Sequence, residues 1–304
     1  MTRGAHRLED LDPEAERITE LRGWLGVLRP DAMLTGLTSA EIRGWWLPPL
    51  PDDVPVFVTS QECGNNAVRP GLKVSRPRTD AGAEELLGLR VATVSETILA
   101  CCRVLNLLDG VNVIECAVHA GDITVTDLDQ ISRMRRRGAP TLRRALRWVD
   151  GRAESIWEVL LRVLHESSGI RTEPQYEIWD DEGTFIARGD LLLTGTNTIH
   201  EYDGGHHLEV PQQRKDLRRA RRLVNSAEWE RRGYTAYEVM ATPNEIIRDA
   251  DLTIGRTHEP GRIRAWHELI RHSLFTPAGT QEFLMRVLGP GRRSSVAQTD
   301  GFVA

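Results

Sequence analysis

Cysteine is scarce in this chain. Only Cys63, Cys101, Cys102 and Cys116 occur among its 304 residues, and none falls in a CxxC or Cys/His spacing. That argues against a thiolate zinc motif and a disulfide framework, and it suits a reducing cytoplasm, the location expected here. Long apolar runs are missing, so no membrane span is expected and no membrane partner is implied. The start, Met1-Thr-Arg-Gly-Ala-His-Arg7, leads into acidic polar sequence with no apolar segment, so no signal peptide is expected. Positive charge is not in excess either. The formal net charge is −5, so any contact with nucleic acid must come from a local basic patch. No internal repeat is visible.

What is present is ordinary globular material, with 27% charged and 40% hydrophobic residues. The length predicts roughly two domains. In residues 1–150 a helix is expected over about Pro13 to Leu28. Thr38-Ser-Ala-Glu41 reads as a capping box opening a short helix that Pro48-Pro49 stops. Val54 to Thr59, Gly71 to Arg76 and Leu89 to Thr93 read as strands of a small sheet. Helices are expected from Ser95 and over Val111 to Val118, Asp127 to Arg137 and Ala139 to Val149, with a loop at Ile123 to Asp127 leading into the helix at Asp127. This region is α+β. Cys101 and Cys102 sit in an apolar helical run and read as core thiols. Trp45-Trp46 reads as packing of the short helix on the sheet. Arg133, Arg135, Arg136, Arg137, Arg143, Arg144 and Arg147 form a basic helical surface, either a solvated face or a phosphate contact.

From Gly151 the order becomes α-β-β-β-α-β. A helix is expected over Ala153 to His165, then strands at Gln175 to Trp179, Phe185 to Thr194 and Asn197 to Tyr202. A long basic helix over Pro211 to Arg232 and a last strand over Tyr234 to Met240 follow. Helices alternating with strands predict a mixed sheet flanked by helices. Residues 243–304 read as a helical extension, with helices over Arg262 to Leu274 and Thr280 to Leu288, and a disordered Gly/Ser/Arg-rich tail.

The hairpin register follows from arithmetic. A tight turn at Gly195-Thr196 pairs Thr194 with Asn197, Leu192 with Ile199, and Asp190 with Glu201. Opposed residues share a face, with Cβ atoms roughly 5 Å apart. Two carboxylates that close repel each other, and a bound Mg²⁺ or Mn²⁺ reverses the sign. The same pair, if hydrated at an edge, is an ordinary surface feature. Arg188 is expected opposite Asp203, where it would form an ion pair.

Asp203 returns to the face of Glu201 by strand periodicity. Glu158, on the preceding helix, either joins the site, closes a capping box with Ser155, or pairs with Arg162. Parity puts His200 on the opposite face, in a packing role. His207, after the Gly-Gly bend, is placed to act as a general acid or base. No thiolate accompanies His200, His206 and His207, and their spacing matches no zinc pattern. Arg214, Lys215, Arg218, Arg219, Arg221 and Arg222 form the densest positive run, either a solvated basic helix or a clamp for backbone phosphates, and their place right after the acidic cluster favours the clamp. Acids holding a metal beside arginines holding a polyanion are the equipment of metal-dependent phosphodiester hydrolysis.

The ordered set Ser155-x-x-Glu158-x-x-x-Arg162, Phe185-Ile-Ala-Arg-Gly-Asp190, Glu201-Tyr-Asp-Gly-x-x-His207, Asp216 and Gly233-Tyr234 resembles the very-short-patch-repair-type (Vsr-like) endonuclease domain of the PD-(D/E)XK restriction-endonuclease-like superfamily. The resemblance covers about residues 153–240. The superfamily lysine two residues after the second acid is Asp203 here. Residues 30–150 loosely resemble AbiEi-antitoxin-like or regulator-like regions. The resemblance implies an α+β regulatory or DNA-recognition region over 1–150 and an α/β restriction-endonuclease-like domain over 151–242. It also implies Asp190 and Glu201 as ligands of Mg²⁺ or Mn²⁺, with Asp203, Glu158 and His207 as further catalytic residues. The implied activity is that of a DNA endonuclease. The other implied role is a non-catalytic DNA-binding regulator or antitoxin-like protein, with a toxin or defence-system partner.

Overall fold

The computed structural model of the chain describes residues 12–61, 69–76, 82–204 and 229–289. It is a mixed α/β protein with two mixed sheets. The described residues fall into two compact units, residues 12–149 with 272–289, and residues 150–271. The stretch from 243, read from sequence as one extension, is therefore divided between them. Among the described residues no helix is long and apolar enough to cross a membrane.

In the first unit α1 (Pro13–Gly26) starts where Asp12 accepts the Ala15 N–H at 2.9 Å. The sheet contains β1 (Met33–Leu34), β2 (Val56–Thr59), β3 (Leu72–Ser75), β4 (Ala83–Leu86) and β5 (Leu89–Ala92), in the order β3-β2-β1-β5-β4. Leu21, Leu34, Val56, Val58, Leu72, Leu89 and Val91 form its core. The expected strands are β2, β3 and β5. The two-residue β1 and the charged β4 gave no alternating signal. The short helix α2 (Gly36–Ile42) begins before the expected box, and Thr38 lies inside it. Its Oγ1 accepts the Phe57 N–H at 2.9 Å, so tertiary bonding replaces the cap. Trp45 is buried and donates Nε1–H to Asp122 at 2.7 Å.

Helices α3 (Val94–Val104), α4 (Leu107–His119), α5 (Val125–Ser132) and α6 (Ala139–Ala145) complete this part of the unit. A Thr124/Asp127 capping box opens α5 at Val125, two residues before the expected start. That helix stops at Ser132, and residues 133–138 make a turn where a continuous helix to Arg137 was expected. Burial pushes the Cys102 thiol up to about 12 and raises that of Cys101 further. Both are inert core groups.

The C-terminal helix of the first unit covers Pro277–Leu288. Asp109, fully buried at the start of α4, accepts from Ser273 Oγ and from the Leu274 N–H at 3.0 Å. Arg286 donates to the Val104 carbonyl at 2.6 Å, and Lys73 to the Val287 carbonyl at 2.6 Å. Burial outweighs the hydrogen bonds and raises the Asp109 carboxyl to about 6.

The second unit opens with α7 (Ile156–Ser167), whose buried stripe includes Val159, Leu160, Leu161, Val163 and Leu164. Its sheet has the order β6-β7-β8-β9, from β6 (Thr172–Trp179), β7 (Phe185–Leu193), β8 (Thr198–Tyr202) and β9 (Glu230–Tyr234). The first three pair antiparallel, and β9 lies parallel to β8. The last strand therefore ends at Tyr234, where the sequence reading began one. A Thr235/Glu238 capping box instead starts a helix at Ala236–Ala241, followed by helices over Pro243–Thr253 and Arg264–Arg271. The caps win because they satisfy N–H groups that a strand there would leave without a ladder.

Candidate active site

The hairpin has the expected register. Leu191 pairs with His200 and Leu192 with Ile199, and the pairing ends there, one step short of Asp190 and Glu201. The turn itself differs. The Thr196 N–H bonds the Leu193 carbonyl at 3.1 Å, so Gly195 with φ +88° is the second central residue of a type II turn.

The two acids take different partners. Asp190 Oδ2 accepts the Tyr202 N–H at 3.0 Å, the backbone donor just past the last recorded hairpin pair. Glu201 is nearly buried and forms an ion pair with Arg231 Nε. Arg231 lies on β9 opposite Ile199, and its Nη2 also reaches Asp203 Oδ1 at 3.5 Å. One guanidinium thus bridges two of the three acids. Asp203 is held at its backbone, which donates to the Tyr234 carbonyl at 2.8 Å. Its carboxylate lies against Gly233, where a β-carbon would overlap Oδ2. Glycine at that position leaves the space in which the acid meets Arg231.

Glu158 takes the capping alternative. Oε1 accepts from Ser155 Oγ at 2.8 Å, and Oε2 accepts from the Glu154 N–H and from Gln175 Nε2, each at 2.8 Å. Arg162 pairs with Glu166 at 3.3 Å and not with Glu158. Arg188 pairs with Glu154, where the sequence reading had expected Asp203. Gln175 is across from Asp190 in the β6/β7 register and has a left-handed backbone, φ +54°. A non-glycine residue in that region inside a strand is strained and survives only where its surroundings hold it. The bond to Glu158 is part of that hold.

The other face of the hairpin is dry. His200 is fully buried, as parity implied. Its Nδ1 is 3.0 Å from His165 Nε2, and His165 Nδ1 is 2.7 Å from the Leu161 carbonyl. The carbonyl can only accept, so His165 donates from Nδ1 and accepts at Nε2, and His200 donates from Nδ1. His200 Nε2 then faces the Tyr234 hydroxyl at 3.5 Å, itself 3.3 Å from Asp249 Oδ2. Burial lowers His165 to about 4, and burial with the charges of His165 and Arg232 lowers His200 to about 2. Trp157 stacks on Tyr202 at 5.3 Å. The two histidines are a neutral packing element beneath the acidic face.

No known protein family, curated protein or solved structure matches the chain.

His207, Arg214, Lys215, Arg218, Arg219, Arg221 and Arg222 lie outside the described residues. Arg231 ties Glu201 to Asp203, Asp190 is tied to the Tyr202 N–H, and Glu158 is tied to the start of α7. Among the described residues no group of three or more His, Cys, Asp and Glu side chains is arranged to hold a metal ion. The donor chemistry of Asp190 and Glu201 fits a hard cation, since both offer only carboxylate oxygens. Arg231 occupies the Glu201 carboxylate and the Tyr202 N–H occupies Asp190. Sequence reasoning missed Arg231 because it sat in what read as a basic helix, and missed Gln175 because left-handed strain leaves no compositional trace.

Proposed function

We propose that the second unit is a divalent-metal-dependent, endonuclease-like phosphodiester hydrolase of the restriction-endonuclease-like type. What supports this reading is the hairpin register: one further step beyond the Leu191–His200 pair would put Asp190 opposite Glu201, where two carboxylates gain nothing by facing each other. Asp190 and Glu201 would hold Mg²⁺ or Mn²⁺, which would supply an activated water and stabilise charge on the phosphodiester. DNA is the proposed substrate and the arginine run from Arg214 to Arg222 its proposed clamp.

Arg231 supports a second reading. Its pairing with Glu201 and Asp203 neutralises the acids without a metal. That fits a non-catalytic DNA-binding regulator or antitoxin-like protein using the fold as a scaffold, with a toxin or defence-system partner.

Nicking of supercoiled plasmid in Mg²⁺ or Mn²⁺ separates the two. The hydrolase reading expects cleavage by the wild type, a loss of at least 100-fold in Asp190→Asn, and cleavage kept or raised in Arg231→Gln. Equal, metal-independent background in all three proteins leaves the scaffold reading.

A further inference from the structure

The first unit carries a basic groove outside the acidic hairpin. It is open, about 960 Å³ in volume, and lies between α3 and the turn that joins α5 to α6. Six arginines line it: Arg103, Arg133, Arg135, Arg136, Arg137 and Arg143. The remaining lining is small or apolar, and no aromatic ring is among it.

The turn is built to bring these charges together. Gly138, at φ +92°, lies so close to α3 that a β-carbon would overlap the Leu99 carbonyl oxygen. This contact presses residues 133–138 onto the helix that carries Arg103. Arg136 is clamped by Glu96 at 2.5 and 2.6 Å, and Arg143 donates to the Ser132 carbonyl at 2.5 Å. Those two fix the walls. Arg135 and Arg137 are exposed and pair with no acid among the described residues. Arg133 has only Asp129, an exposed i,i+4 partner of small worth. Burial pulls the Arg103 guanidinium below its ordinary value, and the like charges of Arg136 and Arg137 add to this while Glu96 opposes it.

Folding has thus gathered mutually repelling cations on a chain whose net charge is −5. The cost is recovered if a polyanion sits among them. Guanidinium forks suit phosphate oxygens. Six of them exceed the needs of one phosphate and suit a polymer charged at every repeat. Without aromatic rings the groove offers no platform for unstacked bases, which favours a duplex over a single strand.

We propose that this groove binds the phosphodiester backbone of duplex nucleic acid, without reading its bases. The contact is independent of whether the hairpin is catalytic.

Anisotropy of a labelled 20-bp duplex with the full chain in EDTA, across a KCl titration, tests it. Arg135→Glu/Arg137→Glu is expected to bind at least tenfold more weakly. The slope of log K against log[KCl] should shrink by about 2, near 0.9 for each lost phosphate contact. Arg135→Gln/Arg137→Gln should show the same change in slope and serves as the reading if charge reversal disturbs folding. Wild-type affinity and slope in both variants would overturn the groove, with binding then assigned elsewhere, as would a single strand that outcompetes the duplex. Displacement of the duplex by polyglutamate at equal charge would also overturn it. Asp190→Asn should bind like the wild type. A protein that binds through the groove yet never nicks plasmid removes the hydrolase reading and leaves this one standing.

Discussion

Burial shifts a carboxyl in the first unit and two imidazoles in the second, in opposite directions. The first encloses a carboxyl, Asp109, which burial raises to about 6 and which fastens the segment at Ser273 and Leu274. The second encloses two imidazoles, His165 and His200, which burial keeps neutral. An interior that strips water from an acid and one that strips it from a base penalise the charged form alike. Their stabilities therefore move with pH in opposite directions, and that difference can be attacked directly.

The largest expected effect is acid lability of the second unit. The histidines' folded values lie below 6.5, so their contribution is complete above about pH 6.5 and is lost as pH falls. Lowering His165 to about 4 implies roughly 3 kcal/mol lost between pH 6.5 and 4, and His200 adds to it. Hydrogen exchange resolved by peptide should show protection of α7 and β8 collapsing over that range, with His165→Asn shallower. A flat profile in the wild type would break the comparison.

Nearly as large, with the opposite sign, is the response of the first unit. The Asp109 value is raised, so its contribution is complete below about pH 4 and is lost as pH rises through about 6. Raising it to about 6 corresponds to about 3 kcal/mol. Protection of the helix Pro277–Leu288 should decline from pH 4 to 6 in the wild type. Asp109→Asn should abolish that dependence, because the amide oxygen still accepts both bonds without ionising.

The two helix caps give a smaller contrast. Ser155→Ala removes a cap worth about 1 kcal/mol and loosens a carboxylate that also holds Gln175. Thr124→Ala removes an exposed box with no third partner. The urea midpoint of the second unit should therefore fall further in Ser155→Ala than that of the first in Thr124→Ala. Equal shifts would show that Glu158 does not support the strained strand.

Gly233→Ala should have the smallest effect on stability, under about 1 kcal/mol, because the exposed Asp203 carboxylate has room to swing aside. It should nevertheless break the Arg231–Asp203 contact. Double-mutant cycles on Arg231 and Asp203, run once in the wild-type background and once in the Gly233→Ala background, would read the lost coupling.

The hairpin was legible because its information is local. A tight turn fixes a register, so the pairing of Leu192 with Ile199 was read before any coordinates. The buried position of His200 followed from the same parity. The errors came where distant groups intervened. Thr38 reads as a cap until Phe57 claims its hydroxyl, and Tyr234 reads as a strand start until β9 finds β8 from the other direction.

The sequence alone determined which residues alternate and the register of the hairpin, because those depend on separations of two to four residues and the turn. Only the tertiary structure decided that Arg231 bridges Glu201 and Asp203, that Gln175 adopts a left-handed backbone, and that Gly138 gathers six arginines around one groove. Charges and close approaches between segments far apart in the chain depend on where packing brings them, and no local pattern encodes that.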